Sequence, residues 1–441
     1  MVDQPDRIDK IGLTPAGGGL FTRVLSASGR LKYRLLINLL SRPLGLFALR
    51  SLIAVARLFT PVLRLGRAHL TLSHAHTLAL LKQADDFHVT AGLSDRLPAG
   101  YFLMDIDWEA QHKAEKALIE EGLGDEAREI RQLQAYAGYR CAKYIHENGG
   151  RPLNVARDFT EELTLDVVHE YFGIGDDKAA TRERLRVIFR LLASQIFQSA
   201  PIGGELALET LRAQDDLLRI TLNNSDFSRD TVLTRLQKAA AREGADWATE
   251  IWAARNAAGL AAFGSGTVAR AATQIAYRLL SLWGARDAAH DAVWAYLGDP
   301  CPDTRNGVRQ IAMEALRFNP MLPLMGVRRS TGRSELYALC PHRRVRVDAG
   351  ETFIPSPFAA MFDRNAFPCP SRFRTEQRQL SNYLHFGEGR HICVGKRVAE
   401  ALLEEVVISL FRDPRLRRRT PLSGVAYDGP AVERFMVRFD A

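Results

Sequence analysis

Three glycines crowd around one cysteine in the stretch FGEGRHICVG, residues 386–395, and the chain then runs without a break into an apolar-periodic segment. Gly387, Gly389 and Gly395 give this loop backbone freedom and leave room for a flat partner that a Cβ would obstruct. After Gly395 the apolar positions Val398, Ala399, Leu402, Leu403, Val406, Val407 and Leu410 recur at three- and four-residue spacing, which predicts a helix with one buried stripe. Cys393 then stands just ahead of a helix N-terminus, where free N–H groups and the aligned peptide dipoles favour an anion and predict a lowered thiol pKa. A thiolate so placed is a nucleophile or a metal ligand. Read alone, the same residue is by default a buried, reduced cysteine before a helix.

The surrounding pattern decides between these. Residues 386–395 match Phe-Gly-x-Gly-x-His-x-Cys-x-Gly at every fixed position, and this loop resembles the cysteine-ligand loop of the cytochrome P450 family. The resemblance implies a mainly α fold with a smaller β region, and a haem held between a long distal helix and the cysteine loop with its helix. It implies haem b as cofactor, Cys393 as the axial thiolate on iron, Phe386 packed near the sulfur, Gly387 and Gly395 in the cofactor cradle, and His391 at a haem propionate. Thiolate ligation pushes electron density onto the iron and favours O–O cleavage.

Length and composition are compatible with this. A chain of 441 residues, 46% hydrophobic and 25% charged, can bury a large core, and no linker suggests a domain cut. We read residues 1–30 as a flexible N-terminal segment and residues 31–441 as one catalytic domain. The five cysteines show neither C-x-x-C pairing nor disulfide-scaffold density, which predicts reduced thiols in a cytoplasmic protein and argues against zinc. The first residues do not read as a signal peptide, and no apolar run is long enough to span a bilayer. Between Leu31 and Leu65 an apolar stretch is interrupted by Lys32, Arg34, Arg42, Arg50, Arg57 and Arg64. It reads as the solvated face of a helix covering the core, with a membrane-surface or partner-docking stripe as the alternative, and Pro43 and Pro61 break it. The formal charge of +8 is dispersed, without a nucleic-acid motif, and fits an acidic protein partner better.

Helical patterns dominate, including residues 160–175, 182–197 and 204–222, with short strands expected near residues 70 and 336–354. In RQIAMEALRFNP, Glu314 and Arg317 lie three apart on one helical face. Alone this is ordinary surface decoration. Upstream of the cysteine loop it resembles the family's Glu-x-x-Arg helix, with Arg372 of FPCPSRF as the third, charged member, and implies a buried cluster beneath the haem. His112 and Lys116 resemble the family's propionate-binding His-x-x-x-Arg with lysine in the arginine place. Trp108 offers a competing register. Arg328 matches a strand arginine that pairs the other propionate.

The segment WATEIWAARNAAGLAAFGSGTVARAATQIAYRLLSLWG resembles the distal helix. Where the family carries Ala/Gly-Gly-x-Asp/Glu-Thr, this chain has Phe263, Gly264, Ser265, Gly266 and Thr267. The threonine is kept and the acid is replaced by glycine. Two glycines inside a helix cost about 1 kcal/mol each relative to alanine, more than a purely structural helix would accept. Thr267, Ser265, water or a substrate group must then relay protons. Phe263, Phe87, Phe102 and Phe197 are the aromatic candidates for a substrate pocket.

The function implied is a bacterial-type monooxygenase that inserts one oxygen atom from O2 into a hydrophobic small molecule. Electrons would come from a separate acidic ferredoxin or flavodoxin-type protein docking near Lys113, Lys116, Arg390, Lys396 and Arg397. Gly266 motivates two alternatives, a peroxide-using peroxygenase or hydroperoxide isomerase, and a non-catalytic haem-binding protein. No nucleic acid partner and no transmembrane segment are expected.

Overall fold

The structure is a computed structural model that describes residues 43–66, 68–89, 106–124, 126–197, 205–223, 228–332, 334–336, 345–375, 379–421, 424–428 and 431–439. Among them are thirteen α-helices: α1 (Pro43–Phe59), α2 (His74–Lys82), α3 (Glu109–Leu123), α4 (Arg131–Asn148), α5 (Glu162–Glu170), α6 (Ala179–Phe197), α7 (Glu205–Leu222), α8 (Val232–Glu243), α9 (Glu250–Leu279), α10 (Ala285–Gly298), α11 (Pro302–Arg317), α12 (Pro357–Ala360) and α13 (Lys396–Phe411). The strands are short. β1 (Val62–Leu65), β2 (Ala68–Thr71), β3 (Phe87–Val89), β5 (Arg328–Ser330) and β8 (Thr352–Ile354) form one sheet in the order β1-β2-β8-β5-β3, antiparallel except for β2 with β8. A second sheet joins β4 (Leu153–Asn154), β12 (Met436–Phe439) and β9 (Leu416–Arg418), while β6 (Ser334–Leu336) with β7 (Val345–Val347) and β10 (Ala426–Asp428) with β11 (Ala431–Arg434) make two hairpin pairs. The predicted mainly α architecture with a smaller β region is what the chain adopts. The expected boundary at residue 30 lies outside the described residues.

Helix α9 organises the interior. Alanine, the residue with the best helix propensity, recurs along it from Ala253 to Ala276 and lets neighbouring helices approach closely. Its first turn is capped by Thr249, whose side chain accepts from Trp252 N. Most of its residues are buried, and α6, α8, α11 and α13 all pack against it. The expected strand-to-helix passage near residue 70 is β2 followed by α2, with Ser73 capping the helix.

One expectation is reversed. The segment between Pro43 and Pro61 is helical, but its arginines do not face solvent. Arg57 donates to Leu72 O (2.8 Å), Phe362 O (3.0 Å) and Ala359 O (2.6 Å), and the Arg50 guanidinium lies over Phe362 at 4.7 Å. Burial and the nearby cations Arg278 and Arg317 push the Arg50 pKa down to about 10. Three carbonyls aimed at one guanidinium outweigh its hydration, and the apolar side chains are left outside.

Candidate active site

The cysteine loop is held by its backbone. Cys393 N donates to Phe386 O (2.8 Å), Ile392 N to Gly389 O (3.1 Å) and Lys396 N to Cys393 O (3.2 Å), so the loop closes on itself before α13 starts after Gly395. Gly387 and Gly389 have φ of 72° and 75°, the left-handed region that side chains disfavour. A Cβ on Gly389 would also lie 2.5 Å from Leu81 O and 3.1 Å from Lys82 Cα, at the end of α2. Gly389→Ala is therefore expected to cost about 1–3 kcal/mol of stability through backbone strain, read as a lowered melting temperature and reduced haem content.

Cys393 is reached by solvent, yet protein encloses it closely enough that burial dominates its chemistry and pushes the thiol pKa up. The Gly395 N–H and Lys396 act in the opposite direction and do not prevail. This overturns the expected lowering: the helix N-terminus is present, but the recess is too desolvated for it to win. A metal cation held at this sulfur would favour the thiolate that burial disfavours.

Beneath the loop, Glu314 and Arg317 of α11 are both fully buried and form a bidentate pair at 2.8 Å for each bond. Glu314 also accepts from Tyr383 Oη (2.8 Å) and Arg374 N (3.0 Å), and Arg317 donates to Met361 O, Pro370 O and Arg372 O. The expected third member, Arg372, accepts from Arg317 Nη2 through its backbone carbonyl (3.2 Å), on a turn closed by Arg372 N donating to Cys369 O.

The expected propionate residues converge. His112 and His391 meet edge to face with centroids 4.9 Å apart. His391 Nε2 lies 3.5 Å from Asp107 Oδ1, and its Nδ1 is buried without a hydrogen-bond partner. Burial, His391 and Lys116 push the His112 pKa down to about 4, and burial alone holds Arg328 down to about 10. Among the described residues, the Arg328 guanidinium donates to its neighbours' carbonyls, Gly326 O (2.9 Å) and Val327 O (3.5 Å). A buried set of donors facing one carboxylate suits an anionic edge such as a haem's propionates. Trp108 is exposed at the start of α3, so the His112 register is the one that reaches His391. Asp107 escaped the sequence reading. It also accepts from Val89 N (2.9 Å), and its only signal was its place ahead of His112.

On α9, Thr267 Oγ1 donates to Phe263 O (2.6 Å) and Gly264 O (3.2 Å), and nothing lies within 4 Å of a Cβ built on Gly264. Phe263 is partly buried against the main core. Ser265 and Gly266 are elsewhere. They line a cavity of roughly 100 Å³ with Thr160, Glu161, Arg186, Arg190 and Thr273. At about 100° per residue, Ser265 points roughly 160° away from Thr267, so it does not share a face with that hydroxyl. Phe87 is likewise misassigned as a pocket residue. It is fully buried in the sheet's own core, edge to face with Phe353 at 5.1 Å, because β3 pairs with β5 there. Phe102 lies outside the described residues, as does the side chain of Phe197.

Residues 308–417, which span Glu314, Arg317 and the cysteine loop, match the family model described as cytochrome P450. The fold extends the likeness to the whole chain: it covers 93% of this chain and 100% of CYP164A2 from Mycobacterium smegmatis, with a TM-score of 0.71 at 16% identity. The described fold is that of solved cytochromes P450, and the family-model match is confined to residues 308–417. A second cytochrome P450, CYP109B1 from Bacillus subtilis, superposes with a TM-score of 0.67 over 88% of this chain and 98% of its own, at 16% identity. Curated relatives match over part of the chain only. The chain is 32% identical over 126 residues to a probable cytochrome P450 6g2 of Drosophila melanogaster, 26% of this chain and 24% of that protein. It is 31% identical over 126 residues to a bifunctional dioxygenase-epoxy alcohol synthase of Fusarium oxysporum, 29% of this chain and 10% of that protein. The chain thus spans about a quarter or less of the length of these curated relatives. Among the described residues, no helix is long and apolar enough to cross a membrane.

Proposed function

We propose that this chain is a haem-thiolate monooxygenase that inserts one oxygen atom from O2 into a hydrophobic small molecule, with haem b as cofactor and electrons from a separate acidic ferredoxin or flavodoxin-type donor. The observation that carries this reading is the solvent-reached Cys393 in its closed loop, with the Glu314–Arg317 pair below it and His112, His391 and Arg328 beside it. Cys393 would hold the iron, and His391, His112 and Arg328 the propionates, with Lys116 nearby but already 3.9 Å from Glu120. Thiolate-ligated haem, when bound, supplies the capacity to cleave the O–O bond. Lys113 and Arg397 are exposed and suit an acidic donor, whereas Arg390 is drawn inward by Asp107 O and Asp85.

Thr267 is the proton-handling group of this reading. Its hydroxyl proton is donated back onto its own helix at Phe263 O and Gly264 O, which leaves the oxygen's lone pairs to accept from water or substrate with no carboxylate at 266. Thr267→Ala is expected to lower product formed per electron consumed by roughly 10²-fold, the order for loss of a positioned proton donor. The direct test of the function is the absorption spectrum of the reduced carbonyl complex, followed by product assay with a ferredoxin donor. A spectrum typical of histidine ligation would overturn it.

A second reading is favoured by the glycine at 266 and by the fungal relatives, named as a dioxygenase-epoxy alcohol synthase and a linoleate diol synthase. In it the chain takes a peroxide or rearranges a hydroperoxide. Turnover of a fatty-acid hydroperoxide without any electron donor separates the two readings.

A further inference from the structure

Helix α9 carries glycine at 266, yet a carboxylate faces that position from another part of the chain. Glu161 ends the short helical turn Val155–Glu161 and lines the cavity of roughly 100 Å³ onto which Ser265 and Gly266 open. Two arginines of α6 hold it there. Arg190 Nη2 donates to both Glu161 oxygens at 3.0 Å, and Arg186 Nε lies 3.6 Å from Glu161 Oε2. These contacts do not use up the carboxylate, whose two oxygens offer about four lone-pair sites. The Glu161 side chain is 23% exposed and that of Arg190 44%, so this end of the cavity meets solvent.

The other end is buried and polar. Ser265 is 7% exposed, and among the described residues its hydroxyl has no hydrogen-bond partner. Arg186 Nε is buried and also without one. Unpaired buried donors are costly, and a polar space of this size that also offers a carboxylate takes water. At about 100° per residue, Gly266 stands on α9 between the directions of Ser265 and Thr267. A position that borders both the cavity and the Thr267 side of the helix therefore carries no side chain. Glycine weakens a helix interior, and here its effect is to leave that wall open.

We propose that Glu161 feeds protons to Thr267 through this cavity, standing in from outside α9 for the carboxylate absent at 266. The proposal rests on the monooxygenase reading. A proton passes from the Glu161 carboxyl to cavity water, and past Gly266 to water donating to Thr267 Oγ1. The carboxylate takes its replacement from bulk solvent at the mouth. Glu161 acts through Thr267 and touches no reacting atom.

The test uses the haem-loaded full chain. A crystal structure should show ordered water joining Glu161 to Ser265 Oγ, a readout that needs no turnover. Glu161→Gln keeps the side chain's size and should divert electrons to peroxide, lowering product per electron about tenfold while the reduced carbonyl spectrum stays that of the parent. Its solvent deuterium isotope effect on oxygen insertion should rise. Adding Gly266→Asp to Glu161→Gln supplies a carboxylate from α9 and should restore coupling and isotope effect to within about twofold of the parent, which loss of a mere brace for Arg186 and Arg190 would not allow. Glu433→Gln, at an exposed carboxylate of the cavity rim, should couple like the parent. A dry cavity, a Glu161→Gln protein that couples normally, a double variant that stays uncoupled, or a Glu433→Gln protein uncoupled to the same degree overturns the proposal alone. A parent without the thiolate spectrum overturns the monooxygenase reading, and this proposal with it.

Discussion

Glu314→Gln is expected to yield a protein that retains little haem and unfolds at a markedly lower denaturant concentration. Arg317 has no solvent to fall back on. Its guanidinium is fully buried, bound to both carboxylate oxygens, and stacked near Phe318, Phe362 and Phe367 at 4.5, 4.8 and 5.2 Å. Neutralising Glu314 leaves that cation with the carbonyls of Met361, Pro370 and Arg372 alone. Breaking one side of such a buried pair costs about 3–5 kcal/mol, a large share of the roughly 5–15 kcal/mol that stabilises a domain. Arg317→Lys should behave almost as badly, because an ammonium cannot make the fork that two carboxylate oxygens and three carbonyls require. Tyr383→Phe removes one bond to Glu314 and leaves the pair intact, so its cost should be about 1 kcal/mol. Urea unfolding at constant slope, read beside haem content, orders the three variants. Equal midpoints for Glu314→Gln and Tyr383→Phe would show that the pair does not hold this layer together.

What could be read in advance was whatever is local in the chain. The helix after Gly395, the cap at Ser73 and the three-residue spacing of Glu314 and Arg317 are consequences of periodicity and of single side chains meeting nearby backbone. The loop pattern carried the resemblance, and with it the expectation that His112, His391 and Arg328 converge from three distant elements. The failures concern direction. Arg50 and Arg57 had the spacing of a solvated stripe, but spacing does not say which face of a helix is covered, and the carbonyls of Leu72, Ala359 and Phe362 that claim Arg57 come from other parts of the chain. Ser265 sits two residues from Thr267, which is nearness in sequence and near opposition on a helix. The Cys393 thiol shows the same limit in energetic form, since the dipole is legible from the helix start while desolvation depends on everything packed around it.

Cys393→Ser is expected to abolish the thiolate spectrum of the reduced carbonyl complex and all turnover above background, while leaving the apoprotein folded. The reasoning separates the residue's two contributions. Its backbone, through Cys393 N to Phe386 O and Lys396 N to Cys393 O, closes the loop, and serine preserves both bonds and the residue's small volume. Its sulfur is not committed to packing, because the side chain is accessible at the bottom of its recess. Removing the sulfur should therefore shift the unfolding midpoint of the apoprotein by about 0.5 kcal/mol or less, the range of substitutions outside cores and networks. The serine hydroxyl remains protonated at neutral pH and is a poor soft donor, so the charge that favours O–O cleavage is lost with the sulfur. Glu314→Gln, by contrast, should damage folding and haem retention together. A Cys393→Ser protein that is folded and spectrally silent, beside a Glu314→Gln protein that is unstable, would assign chemistry to the loop and scaffolding to the buried pair. A Cys393→Ser protein that keeps the parent spectrum would remove the iron-ligand assignment altogether.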